Sequence, residues 1–225
     1  MVWLWILIGV LCVLLISVAC SSCKAVKIEE FGHSDVTDDY NLPFIVNGLL
    51  TNEERTELMQ FCIPRLHDSA TIGGKNAAVR NSQQCWVPHT NPIVTRLLSD
   101  LHQRFGMDPR QAEDLQVVRY KPGQYYKEHH DACCEGGDVC TDFNSKGGHR
   151  ILTVLIYLNN EFEGGATRFK NLEIDVKPDP GDAVVFFPLA KDQKKCHPYA
   201  LHAGLPVTAG EKWVCNLWYR EQQIK

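Results

Sequence analysis

The stretch from Leu115 to Asp131 constrains the fold more than any other part of the chain. A β-rich run enters a Lys-Pro-Gly turn, and a second extended run ends on His129, His130 and Asp131. Successive side chains of a strand point to opposite faces, so His129 and Asp131 share one face and His130 takes the other. One imidazole beside one carboxylate supplies two ligands of a 2-His-1-carboxylate site, a ligand set that is typical of non-haem Fe(II) oxygenases.

Short strands separated by Pro/Gly turns dominate the chain after Leu115. The run from Arg150 to Asn159 is apolar on both faces and predicts a central strand. His202 begins a strand that we expect to pair with the last strand, which begins at Lys212. Further strands are predicted after residue 164 and over 172–176 and 183–187. Seven or eight strands at this spacing predict a double-stranded β-helix, or jelly roll.

Two helices are predicted before the strands begin. Thr51 and Glu54 have the spacing of a capping box and predict a helix that runs to about Leu66. Pro92 follows an Asn and predicts the first position of a second helix, which stops at Gly106. We expect both helices to pack on the outside of a sheet.

An uncharged apolar run occupies Val2 to Ala19. As a helix it would span roughly 27 Å at about 1.5 Å per residue, close to the apolar thickness of a bilayer. A cleaved signal peptide is the alternative, because small residues (Ser17, Val18 and Ala19) end the run; its length and the absence of Lys or Arg before it favour an anchor. We expect a transmembrane anchor over 1–20, a polar linker over 21–41 and one domain over 42–225. The predicted fold is α+β and mainly β: a jelly-roll core with N-terminal helices on its outside, preceded by one transmembrane helix.

Charge and cysteine content bear on the partners and the compartment. A net charge of −4 argues against nucleic-acid binding. Lys24 and Lys27 favour a cytoplasmic domain by the positive-inside rule, whereas ten cysteines favour an oxidising compartment. We expect the domain in the lumen of the endoplasmic reticulum, that of a host cell if the protein is viral.

A cysteine-rich segment, residues 132–149, predicts a long loop beside the histidines. Seven cysteines follow residue 24, an odd number, so they cannot all pair with one another. A disulfide from Cys133 or Cys134 to Cys140 would stiffen the segment as a lid over a groove. The alternatives are a zinc site that includes His149, although the spacing matches no common zinc finger, and a surface insertion with reduced thiols.

A complete iron site needs a second histidine from a distant part of the chain. The choices are His149, His197 and His202. On the last strand, the period of two places Lys212 and Trp218 on one face, together with Val214 and Asn216. A lysine on a buried face needs an anionic partner, because an isolated buried ammonium is costly; a lysine that reaches solvent at a strand end is the alternative.

Three motifs occur in a fixed order from residue 123 onward: Gly-Gln-Tyr-Tyr-x-x-His-His-Asp, then Gly-Gly-Ala-Thr, then His-Ala-Gly-x-Pro-Val followed by Gly-x-Lys-Trp. Together they resemble the catalytic domain of the prolyl 4-hydroxylases, which are Fe(II)- and 2-oxoglutarate-dependent dioxygenases. The likeness covers roughly residues 42–220. The sequence as a whole, including Asn-Ser-Gln-Gln at 81–84, is similar to the sequences of prolyl hydroxylases that giant DNA viruses encode.

The resemblance implies a role for each matching residue. Iron would be bound by His129, Asp131 and His202. Lys212 would bind the distal carboxylate of 2-oxoglutarate, and Tyr120 and Thr167 would add hydrogen bonds to it. Arg150 and Trp218 fall where the family contacts its peptide substrate; for Arg150, a surface residue that ends a loop is the alternative.

The implied reaction is hydroxylation of peptidyl proline at C4 in proline-rich or collagen-like chains. It consumes 2-oxoglutarate and O2, releases succinate and CO2, and generally needs L-ascorbate. Three alternatives stay open: a silent member that binds peptide, an oxygenase of a small molecule, and an oxygenase of peptidyl lysine. Lysyl hydroxylases resemble this domain but have an arginine where Lys212 stands, which favours proline as the target.

Overall fold

The computed structural model describes residues 28–30, 40–192 and 195–224. The predicted anchor over 1–20 and most of the predicted linker lie outside these ranges. Within them, no helix has the length and apolar character needed to cross a bilayer.

Both predicted helices form. Helix α1 (Asn52–Cys62) begins with the predicted capping box, in which Thr51 Oγ1 accepts from the Glu54 N–H at 3.3 Å and Glu54 Oε2 accepts from the Thr51 N–H at 2.9 Å. It ends before the predicted Leu66 because the chain turns into a short 3-10 helix that contains Pro64, whose nitrogen cannot donate. Helix α2 (Pro92–Phe105) is capped by the Asn91 side chain and ends as predicted at Gly106, where φ is 68°.

The segment predicted as a loop contains a third helix, α3 (Gly137–Ser145). The predicted disulfide is present as Cys133–Cys140, and Cys134 pairs with Cys196. The zinc-site alternative is therefore wrong, because all three of its candidate thiols are in disulfides. A third bridge joins Cys62 to Cys85, which leaves Cys215 as the unpaired member of the seven.

The strands are short, and there are fourteen in the described ranges. In chain order they are β1 (Ile28–Glu30), β2 (Phe44–Val46), β3 (His67–Asp68), β4 (Gln83–Val87), β5 (Leu115–Tyr120), β6 (Tyr126–His129), β7 (Arg150–Tyr157), β8 (Phe162–Gly164), β9 (Thr167–Phe169), β10 (Ile174–Val176), β11 (Ala183–Phe186), β12 (His202–Gly204), β13 (Val207–Gly210) and β14 (Lys212–Arg220).

These strands form two main sheets, as a jelly roll requires. The larger has the order β1-β2-β11-β7-β14-β5-β4-β3, the smaller has the order β10-β9-β12-β6, and β13 pairs with β8. The predicted central strand is β7, which lies between β11 and β14. One predicted pairing is wrong: the strand that His202 begins pairs with β6 and β9 in the smaller sheet, not with the last strand. The reason is that β13 intervenes between them: it pairs with β8, and the chain then continues into β14 of the larger sheet.

Side-chain alternation divides the interior into two cores. On β7, Val154 and Ile156 point toward α1 and α2, where they pack with Leu58 and Leu97. The alternate residues, Leu155 and Tyr157, point into the space between the two sheets, where they pack with aromatic and aliphatic side chains of the smaller sheet. The strand is buried on both faces for this reason, and the inner core is open at one end, where the candidate site lies.

Candidate active site

Three ligand-type side chains meet between the sheets. His129 ends β6 and lies directly opposite His202, the first residue of β12, and Asp131 follows two residues after His129. One potential ligand atom from each residue lies within 4.8 Å of the others. His129 Nε2 is 3.6 Å and His202 Nε2 is 4.0 Å from Asp131 Oδ1. Of the three candidates for the third ligand, the fold thus selects His202, and His130 lies outside the cluster as the strand alternation predicts.

Hydrogen bonds orient both imidazoles. The His129 Nδ1–H donates to the Lys127 carbonyl at 2.8 Å, and the His202 Nδ1–H donates to the Ala200 carbonyl at 2.9 Å. Each bond leaves the Nε2 lone pair directed at the cluster, which is the arrangement found at metal-bound histidines. Burial lowers the pKa of His202 to about 4, so this imidazole is neutral at pH 7 and free to bind a metal.

Asp131 is held as a carboxylate with one oxygen turned to the histidines. Its Oδ2 accepts from Thr153 Oγ1 at 2.7 Å and from Trp218 Nε1 at 3.0 Å. Burial alone would raise the pKa of this carboxyl, but the neighbouring His202 and His129 outweigh it and the pKa lies well below its usual range. Two imidazoles and one carboxylate on one side of a cavity are a ligand set that fits Fe(II) and leaves its remaining coordination positions open.

Lys212 lies at the inner end of the same cavity. Its ammonium is buried and donates to the Gly165 carbonyl at 2.6 Å and to the Tyr157 hydroxyl at 3.2 Å. In the part of the chain that the structure describes, no carboxylate pairs with it. Burial, with a smaller contribution from the charge of Lys177, lowers the pKa of Lys212 to about 7. The alternative of a lysine that reaches solvent is therefore wrong, and the site is suited to an anion.

Two other predicted residues surround the space in front of Lys212. Thr167 is buried, and its Oγ1 lies 2.7 Å from the Tyr157 hydroxyl. Tyr120 lies opposite Lys212 in the register of β5 and β14. A Cβ atom on Gly204 would lie 3.6 Å from the Tyr120 hydroxyl, so β12 lies beside this hydroxyl. Hydroxyl groups and one ammonium around an open space fit the distal half of a small dicarboxylate such as 2-oxoglutarate.

Arg150 and Trp218 lie beside the cluster, since Trp218 donates to Asp131 and Arg150 stacks on Trp218. The Arg150 guanidinium stacks over the Trp218 ring at 3.5 Å and forms two hydrogen bonds of 2.7 Å with Glu113. Arg150 is 8% exposed, so the alternative of a surface residue is wrong. A β-bulge brings it here: Tyr219 pairs with Leu152 but Arg220 pairs with Arg150, and the extra residue turns Arg150 to the face that Trp218 occupies.

Comparisons with known proteins identify the family. The sequence profile of the 2OG-Fe(II) oxygenase superfamily matches residues 115–220. A protein of Acanthamoeba polyphaga mimivirus, described as "Putative prolyl 4-hydroxylase", is 50% identical over 87% of this chain and 81% of its own length. The chain belongs to the prolyl 4-hydroxylase family of 2-oxoglutarate- and iron-dependent dioxygenases.

Two more relatives agree with this family. Prolyl 4-hydroxylase 2 of Arabidopsis thaliana is 32% identical over 78% of this chain and 66% of its own length. Among solved structures, the collagen prolyl hydroxylase of Paramecium bursaria Chlorella virus-1 in its 2-oxoglutarate complex is 31% identical, with a TM-score of 0.64 over 78% of this chain and 94% of that one. The jelly-roll prediction is thus confirmed at the level of the shared fold.

A groove of about 1140 Å³ joins all parts of this dioxygenase site. Its lining includes Lys212 and Thr167, the three residues of the His129 cluster, and Arg150 and Trp218. Four large hydrophobic side chains in the described ranges are exposed, and three of them line this groove: Trp86, Val139 and Ile224. Exposed apolar side chains concentrated in one groove indicate a binding surface for an apolar ligand.

The sequence reasoning missed several residues that build the site. Tyr157 joins Lys212 to Thr167, and Thr153 holds Asp131; both are inward residues of β7, so strand alternation could have found them once the site face was known. Tyr126 stacks on the His129 ring at 3.5 Å, and burial raises its pKa to about 12. Arg80 lies 4.7 Å above the Tyr126 ring. It comes from the loop before β4, and no local pattern in the sequence marks it.

Proposed function

We propose that this chain hydroxylates peptidyl proline to 4-hydroxyproline in proline-rich or collagen-like chains. One observation supports it above the rest: the His129, Asp131 and His202 cluster and the buried Lys212 lie in the same groove, and three exposed apolar side chains, Trp86, Val139 and Ile224, line that groove among polar and charged ones. An extended, proline-rich peptide matches such a groove, because it presents apolar rings and few charges.

Each part of the groove has its own task in this proposal. Lys212, Tyr157 and Thr167 bind the distal carboxylate of 2-oxoglutarate by charge-assisted and neutral hydrogen bonds, and Tyr120 borders the same cosubstrate. Iron bound by His129, Asp131 and His202 supplies the oxidative chemistry with 2-oxoglutarate and O2. The hydrogen bonds from Thr153 and Trp218 keep the Asp131 carboxylate in one orientation during this chemistry.

The outer residues position the peptide. Arg150 is fixed by Glu113 on one side and stacks on Trp218, so its remaining surface faces the groove in one orientation. Trp86 and Trp218 have ring centroids 6.3 Å apart and form an aromatic wall against which a proline ring can pack. The need for L-ascorbate and the membrane anchor stay predictions.

Succinate release tests this proposal. Purified protein with Fe(II), 2-oxoglutarate and ascorbate should release succinate when poly-proline or Gly-x-Pro repeats are added, and mass spectrometry should find one added oxygen per modified proline. His129→Ala should abolish both signals. Proline-independent release, or equal signals from wild type and His129→Ala, would contradict the proposal. A lysine-containing peptide without proline tests the peptidyl-lysine alternative in the same assay.

The three disulfides support a location in an oxidising compartment. Two of them join segments that are distant in the chain, Cys62 to Cys85 and Cys134 to Cys196, and disulfides form and persist mainly in oxidising compartments. We infer that the domain resides in the lumen of the endoplasmic reticulum, held there by the apolar N-terminal run. Protease protection of the domain in intact microsomes tests this location, and digestion without detergent would contradict it.

A further inference from the structure

Helix α3 has few stabilising features of its own. It is nine residues long, begins at Gly136 and Gly137 with positive φ angles, and has no side-chain cap at its N-terminus. Only one of its residues, Cys140, is buried. A helix this short is marginal in water without tertiary packing, so outside connections must hold it.

Two disulfides and one arginine supply these connections. Cys140 is bound to Cys133, and the adjacent Cys134 is bound to Cys196, in the loop before β12. At the other end, Arg220 Nη1 donates to the Phe143 carbonyl at 2.9 Å. The helix is thus fastened at its N-terminal half by disulfides and at its C-terminal half by β14.

The exposed face of α3 forms one wall of the groove. Val139 lies on this face and is 53% exposed. Gly73, in the loop between β3 and β4, lies against this face of α3, since a Cβ atom on Gly73 would lie 3.6 Å from Val139 Cγ1. Gly73 and Val139 both line the groove, so a peptide that lies along it would pass these two segments.

The same helix also contacts the residues that position the peptide. Two guanidinium groups contact the Phe143 ring: that of Arg150 lies 5.0 Å and that of Arg220 lies 4.4 Å from the ring centroid. Arg150 in turn stacks on Trp218. A displacement of α3 would remove Phe143 from Arg150 and would widen the groove.

We propose that α3 is a substrate-positioning wall, that Val139 is its contact with the peptide, and that the Cys133–Cys140 and Cys134–Cys196 disulfides hold it in place. This proposal rests on the proposed function, because it assumes a peptide in the groove. The cosubstrate end does not depend on α3: Lys212 and Thr167 lie on strands of the two sheets.

Two variants and one control test the proposal. Val139→Ala removes the groove contact while alanine favours helix more than valine does, so a loss cannot come from a weakened helix. Cys133→Ser/Cys140→Ser releases the N-terminal half of α3. Ile63→Ala is the matched control, since Ile63 is also β-branched and is 56% exposed but lies outside the groove.

The readouts separate peptide binding from cosubstrate binding. We would measure the Kd of a fluorescein-labelled poly-proline peptide by fluorescence polarisation and the Kd of 2-oxoglutarate by calorimetry, both on protein loaded with Mn²⁺. We expect Val139→Ala to weaken peptide binding about fivefold, as the loss of two partly buried methyl groups predicts. The double variant should weaken it at least as much and speed hydrogen exchange of the α3 amides. The 2-oxoglutarate Kd and the control should match wild type.

Unchanged peptide affinity in Val139→Ala and in the double variant would overturn the proposal. Equal losses for the peptide and for 2-oxoglutarate would also overturn it, because they would show a general effect on the fold. The test does not depend on turnover. If the wild-type protein bound the peptide without hydroxylating it, the proposed function would be contradicted, but the binding measurements would still test the role of α3.

Discussion

Lys212 illustrates how one buried residue determines what the cavity can bind. Its partners are a carbonyl and a hydroxyl, both neutral, so the ammonium keeps its charge only at a cost. A carboxylate in front of it would repay that cost. The residue is therefore a site for an anion more than a stabilising element of the fold.

The pH dependence of 2-oxoglutarate binding follows from the pKa of Lys212, which is about 7. The protonated amine attracts the carboxylate and the neutral amine does not. Affinity should be steady below about pH 7 and should fall at higher pH, by up to about tenfold per pH unit. Calorimetry on Mn²⁺-loaded protein from about pH 6 to pH 9 would measure it.

Lys177→Gln is the companion variant for this measurement. The charge of Lys177 contributes to the low pKa of Lys212, so its removal should move the fall in affinity to higher pH. An affinity that stays constant over the whole range would contradict this account of Lys212.

Trp218 allows a second test, of the orientation of Asp131. Trp218→Phe removes the Nε1–H that donates to Asp131 Oδ2 but keeps a ring beneath Arg150. Hydrogen-bond partners of metal ligands are typically worth about 10- to 100-fold in metal affinity, and we expect a loss in this range for Co²⁺ in a competition titration. Trp86→Phe is the control, because Trp86 lines the same groove without a bond to Asp131. Equal affinities in the two variants would contradict the role of this bond.

At the scale of single residues, the sequence predicted the residues of the cluster but not the residues that hydrogen-bond to them or pack on them. His129, Asp131 and Lys212 were predictable because the motif and the period of two fix their direction. Arg150 was predictable only by family resemblance, since it reaches the groove through a bulge, and alternation alone would have turned it away. Glu113 and Arg80 come from other parts of the chain, and only the tertiary fold brings them to the site.

At the scale of elements, local signals predicted helix ends better than strand partners. The capping box of α1 and the Gly106 end of α2 depend on neighbouring residues alone, and both are present as predicted. The partner of β12 depends on which sheet the chain enters after β11, which no local pattern records. Helix α3 was not predicted, because glycines precede the segment and its apolar residues, Val139, Cys140 and Phe143, span little more than one turn.

The disulfide pattern is a prediction at this same scale. Non-reducing peptide mapping should find Cys133 bound to Cys140, Cys134 bound to Cys196, and Cys62 bound to Cys85. Cys215 should react with an alkylating reagent only after unfolding, because it is fully buried and burial raises its pKa. Free thiols at positions 133 and 140 in the native protein would contradict the pattern.

At the scale of the whole molecule, the site lies at the junction of two sheets that are otherwise joined by hydrophobic packing. His129 and His202 come from the smaller sheet, whereas Thr153, Trp218 and Lys212 come from the larger one. A metal ion and a bound cosubstrate would therefore contact both sheets. Ligand binding should stabilise the fold as a unit.

Thermal unfolding measures this effect. Mn²⁺ should raise the Tm and 2-oxoglutarate should raise it further, since a ligand at about a thousand times its Kd adds about 4 kcal/mol to the free energy of unfolding. His202→Ala should lose the response to both. An equal rise in Tm for His202→Ala would show that the metal binds elsewhere.

The pairing of His129 with His202 has a consequence for the chain as a polymer. The two residues face each other across β6 and β12 although more than seventy positions separate them, and β6 is a four-residue strand at the edge of its sheet. Because the Cys134–Cys196 disulfide already joins the segment after β6 to the segment before β12, an ion shared by both histidines would close only a short further ring, at a small cost in chain entropy. The metal would then act as a cross-link between β6 and β12 as well as in the reaction. Its removal would allow the edge strand β6 to fray.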